Sequence, residues 1–129
     1  MCLIQSLPIP EEYKDSSKEH IGYKVFIQRD KRYKSPINGQ QLYRVNKWIS
    51  DPKTIHDTLY PICGDKPYTV GFHIFPCAAD ATMWLKDVHN PATLVVKRVK
   101  YKHVVAYGDQ RVGVLEARCV VAKHIYIVD

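Results

Sequence analysis

Apolar and polar positions alternate most cleanly over Ile21 to Arg29, where Tyr23, Val25 and Ile27 fall on one side of an extended chain and Lys24, Phe26 and Gln28 on the other. That period of two predicts a strand. A second strand is expected from Tyr68 to Phe75, a run of β-branched and aromatic residues with one glycine. The period then changes. Pro76 suits the start of a helix, where its missing N–H would be unpaired anyway. After it Ala78, Ala81, Trp84 or Leu85, and Val88 recur every three or four positions as one apolar helical stripe. From Ala92 to Ala106 the alternation returns as a long, bent or bulged strand, with Arg98, Lys100 and Lys102 on one side and Val95, Val99 and Tyr101 on the other.

Weaker signals complete the outline. Met1 to Ile4 can pair as a short strand, and the charged segment from Glu11 to His20 reads as a loop or short exposed helix. Asp30 to Gly39 reads as a loop closed by an Asn38-Gly39 turn, and Gln41 to Ile49 as a less regular strand. Ser50 or Asp51, followed by Pro52, predicts the cap of a short helix to about Leu59. His89 to Pro91 and Tyr107 to Gln110 read as turns, and Arg111 to Val121 and Lys123 to Val128 as the closing strands. The expected fold class is α+β: a single β-rich domain over residues 1–129, with five to six mostly antiparallel strands and two short helices.

Composition fits one packed domain. Hydrophobic residues make up 46% of 129, enough for a core without metal or disulfide staples. No window approaches the roughly 20 apolar residues of a spanning helix, and the start lacks the basic, then apolar pattern of a secretory signal. The expectation is therefore a cytoplasmic protein with no membrane association. Cys2, Cys63, Cys77 and Cys119 are widely spaced and form no C-x-x-C pair, which suits reduced thiols. Lysine and arginine number 19 against 13 acidic residues, a net charge of +6 that favours polyanions in low salt whatever the protein's role.

The residues offer three kinds of chemistry. Cys63, His73 and Cys77, with Cys119 or Cys2 as a fourth, are the residue types of a zinc site, but only His73-x-x-x-Cys77 approaches ligand spacing; no metal and no cofactor are expected. A nucleophilic thiol is an alternative. Removal of Met1 would leave Cys2 with a free α-amine beside its thiol, and His73 could serve as base to Cys2 or Cys77. Lys97 to His103 and Arg29 to Lys34 interleave basic and aromatic residues, the types needed for phosphate contact and base stacking. On the first run Tyr101 opposes the basic side, so its charge and its ring are not expected to share a face. No Gly-rich nucleotide loop, zinc-protease helix motif or serine-hydrolase elbow occurs.

Met1-Cys2-Leu3, Tyr23-Lys24-Val25, Ser35-Pro36, Gly71-Phe72-His73-Ile74-Phe75 and Ala106-Tyr107-Gly108 together resemble a group of small uncharacterised bacterial and phage proteins. The resemblance implies an accessory protein of a phage or mobile element that binds a host component. It transfers no activity, and it singles out Cys2 and His73. The expected function is binding of a host protein or nucleic acid through Arg98, Lys100 and Lys102, with Arg32 and Lys34. A small cysteine-dependent enzyme using Cys2 and His73 stays open as the alternative.

Overall fold

The computed structural model describes residues 3–35, 43–50, 67–69, 71–87 and 93–129. Its eight strands are β1 (Leu3–Ser6), β2 (His20–Arg29), β3 (Arg32–Lys34), β4 (Tyr43–Arg44), β5 (Trp48–Ser50), β6 (Phe72–Ile74), β7 (Leu94–Val112) and β8 (Leu115–Ile127). One α-helix, α1 (Ala78–Asp87), and a 3₁₀ turn at Glu11–Tyr13 accompany them.

Every pairing among the described residues is antiparallel, in the order β4-β3-β2-β7-β8-β5, with β1 added to β7 and β6 to β8. The path nearly closes on itself. Its end strands, β4 and β5, are consecutive in the chain and joined by the bend at Val45–Lys47, where Asn46 adopts a φ of 61°. A second closure joins Tyr23 of β2 to Phe75, just past β6, through reciprocal backbone hydrogen bonds of 2.8 Å. Gly22 permits that closure, because a Cβ there would stand 2.6 Å from the Ile74 side chain and 3.1 Å from the Phe75 carbonyl oxygen.

Among the described residues the fold is thus a barrel-like, mostly β sheet with one helix, which corrects the expected α+β class. The reason lies in the last third of the chain. Tyr107 to Gln110 form no turn: β7 runs through them to Val112, turns at Gly113, whose φ is 63°, and returns as one continuous β8. Gly108 is a close-approach residue rather than a turn residue, since a Cβ there would strike the Gln5 backbone of β1. A tight turn at Asp30 and Lys31, with Asp30 at φ 56°, likewise replaces the front of the expected long loop and creates β3. The Asn38-Gly39 turn, the helix expected from residue 50 or 51 to 59, and the turn at 89–91 lie outside the described residues.

Both faces of β2 are covered. Phe26 points into the barrel with Tyr33, Phe72, Ile74, Val99, Tyr101 and Ile125, while Val25 meets α1 outside, against Ala81, Trp84 and Phe75. The helix stripe is therefore carried by Ala81 and Trp84; Ala78 is exposed. Among the described residues no helix is long and apolar enough to cross a membrane.

Candidate nucleic-acid interface

Strand β7 sets the basic face. Val99 and Tyr101 are buried in the barrel, so the alternate residues Arg98, Lys100 and Lys102 point outward, as their spacing requires. His103, at φ 60°, and a register shift between Val104 and Ala106 then change which residues face out, the bulge expected for so long a strand.

Neighbouring strands bring aromatic rings to the same face. Lys100 pairs with Tyr126 of β8, and Tyr126 pairs with Trp48 of β5. Lys100 Nζ lies 5.2 Å from the centre of the Tyr126 ring and Lys102 Nζ 4.2 Å from that of Trp48, both within cation–π range. The two rings are 5.7 Å apart and tilted by 60°. Charge and stacking surface do share this face, which the sequence reading of Tyr101 alone had set apart. Trp48 and Tyr126 were missed because their partners are a sheet register away, not neighbours in sequence.

His124, opposite Lys102, completes the patch. Its Nδ1 is 2.7 Å from Ser50 Oγ, and its ring centre is 5.9 Å from that of His103. Partial burial, followed by His103, Lys102 and Lys123, holds its pKa below the usual histidine range. At neutral pH it contributes a hydrogen-bonding ring and no charge. None of Arg98, Lys100 and Lys102 forms an ion pair with a described residue.

Arg32 and Lys34 lie on β3, at the far side of β2 from Arg98, so the five expected binding residues do not form one compact patch. Arg32 instead joins a second basic group. It pairs with Arg29 across the β2–β3 hairpin and with Arg44 across β3–β4. A cleft of about 280 Å³ beside it is lined by Arg32, Arg44, Lys47, Trp48 and Ser50, with Tyr43 and Ile49. Trp48 belongs to both basic groups.

The other chemistry is internal. His73 is only 4% exposed, and its Nε2 is 3.0 Å from the Tyr68 hydroxyl. That hydroxyl also accepts the Leu3 N–H at 2.9 Å. Burial, then Lys24, pushes the His73 pKa well below its ordinary value, opposed by a hydrogen bond to the Gly71 backbone. Lys24, 2% exposed, donates from Nζ to the His73 carbonyl oxygen at 3.2 Å. Burial pushes the neighbouring Cys119 thiol up to about 12 and Tyr68 likewise to about 12, so both keep their protons at neutral pH. Cys77 is exposed at the start of α1, whereas His73 is enclosed. Cys2 and Cys63 lie outside the described residues, and among those described no group of three or more His, Cys, Asp or Glu could hold a metal ion.

A proton-poor His73 has a consequence for stability. Its folded pKa lies below its unfolded one, so its contribution is complete above about pH 6.5 and is lost as the pH falls, because only the unfolded chain takes up the proton. His20 and His124 are lowered too, chiefly by burial, and act in the same direction. Urea unfolding midpoints should therefore fall steadily from pH 7 to pH 5. A midpoint that does not move over that range would mean that His73 is protonated inside the fold.

No protein-family model, curated protein or solved structure matches the chain.

Proposed function

We propose that the protein binds single-stranded nucleic acid across the outward face of β5, β8 and β7, as an accessory protein of the kind the resemblance implies. The observation that carries this reading is the placement of Lys100 over Tyr126 and Lys102 over Trp48 on one face. A single strand needs cations spaced along its backbone and flat rings for its bases, and it tolerates any sequence because every base has a π face. The lysines now cover the rings, but that contact is weak. An exposed cation–π pair contributes about 0.5–1 kcal/mol, whereas stacking a base on an aromatic residue contributes about 1–3 kcal/mol. An arriving base displaces the ammonium group, whose flexible stem lets it swing to the adjacent phosphate.

A titration of a fluorescein-labelled single strand of about 12 nucleotides, followed by anisotropy at low salt, tests the reading. Trp48→Ala should weaken binding by about 5- to 160-fold, the equivalent of one lost stacking contact. Equal binding by wild type and Trp48→Ala would remove the stacking role and leave a merely basic surface.

A further inference from the structure

We propose that the row of Arg29, Arg32 and Arg44 and the cleft it borders form a receptor for a phosphate monoester, the terminal phosphate of the bound strand; this rests on the single-strand reading above. Arg29 stands opposite Arg32, and Arg32 opposite Arg44, on three successive strands. Strands in a sheet are about 4.8 Å apart, and like charges placed directly opposite one another oppose folding. Here two such pairings occur side by side, and all three arginines are exposed. None of them forms an ion pair with a described residue; the carboxylate of Asp30, in the intervening turn, forms none either. A row of this kind is disfavoured in the free protein and favoured when an anion lies across it.

The type of anion follows from the chemistry and the space. Guanidinium groups bind phosphate oxygens in pairs through parallel N–H donors. An internal phosphodiester offers a single negative charge and two free oxygens. A monoester offers close to two charges and three oxygens, enough to engage more than one guanidinium at once. Lys47 adds a third cation to the cleft beside Arg32 and Arg44, and Ser50 a hydroxyl. Its volume of about 280 Å³ suits a phosphate and its attached sugar rather than a length of strand. The cleft is also continuous with the stacking face, because Trp48 lines it and carries Lys102 over its ring. A strand stacked on Trp48 therefore has its end within reach of Arg32 and Arg44.

The test compares three oligonucleotides of one sequence, carrying a 5′-phosphate, a 3′-phosphate or no terminal phosphate, on wild-type protein and on Arg32→Gln/Arg44→Gln. Both arginines are exposed, and their removal relieves like-charge opposition, so the variant should fold at least as well as the parent. In the wild type at least one phosphorylated form should bind about tenfold more tightly than the unphosphorylated form, a preference equivalent to one charge-assisted contact. In the variant that ratio should fall to about one. If all three strands bind the wild type equally, or the preference survives in the variant, the arginine row is not a monoester receptor, although the single-strand reading stands. If none of the three binds, the single-strand reading fails and this site falls with it.

Discussion

Truncating Tyr101 to alanine should destabilise the protein by about 3–5 kcal/mol, the range for removing a large ring from a packed core. Tyr101 heads the largest fully buried side chains, at 1% exposure. Its ring lies 5.5 Å from His20 and 6.2 Å from Tyr13, and its hydroxyl donates to the Tyr13 hydroxyl at 3.3 Å. Gly22 is bare beside it: a Cβ there would be 3.0 Å from the Tyr101 ring. The ring thus occupies the space where β2, β7 and the 3₁₀ turn meet. Domains are typically stable by only about 5–15 kcal/mol, so this loss is a large share of the total. Tyr101→Phe keeps the ring and removes one neutral hydrogen bond, so it should lose about 1 kcal/mol. Urea unfolding of both variants measures the difference. A loss below about 1.5 kcal/mol for Tyr101→Ala would show that the barrel interior is packed around other residues.

The second large effect is on binding. Neutralising Lys100 and Lys102 together, as Lys100→Gln/Lys102→Gln, should weaken single-strand binding by roughly 50-fold at about 50 mM salt. The size follows from counterion release. Each phosphate contact on a single strand contributes about 0.7 to the slope of log affinity against log salt, so two lost contacts should reduce the slope by about 1.4. Trp48→Ala, in contrast, should lower affinity by a similar factor with little change in slope, because stacking releases no counterions. Both lysines are half-buried on an outer face and form no ion pair with a described residue, so the fold should tolerate glutamine at each. An unchanged slope in the double variant would mean that the phosphates lie elsewhere.

What the sequence made legible was local. The alternation of β2 and of Arg98, Lys100 and Lys102 on β7 could be read from a period of two, and the helix stripe from a period of three to four. Both survive, with Ala81 and Trp84 carrying the helix contact. Signals with two meanings misled. Gly108 resembles a turn glycine but serves the close passage of β1 across β7, which hid the full length of β7 and turned one return strand into two. The fold class followed that error. Register was hidden altogether. Tyr126 and Trp48 join Lys100 and Lys102 only because Lys100 pairs with Tyr126 and Tyr126 with Trp48, and no local pattern states which residues of distant strands stand opposite. The arginine row has the same origin, for Arg44 meets Arg32 across β3–β4.

Titrating isotope-labelled protein with a single-stranded oligonucleotide, and following backbone amide and tryptophan indole N–H signals by heteronuclear NMR, tests the interface most directly. The largest shifts should fall on Arg98, Lys100, Lys102, His124, Tyr126 and the Trp48 indole, with smaller ones at Tyr101 and Val99 on the buried side of the same strand. Shifts that leave β5, β7 and β8 untouched, or no shift at any strand concentration, would contradict single-strand binding by this face.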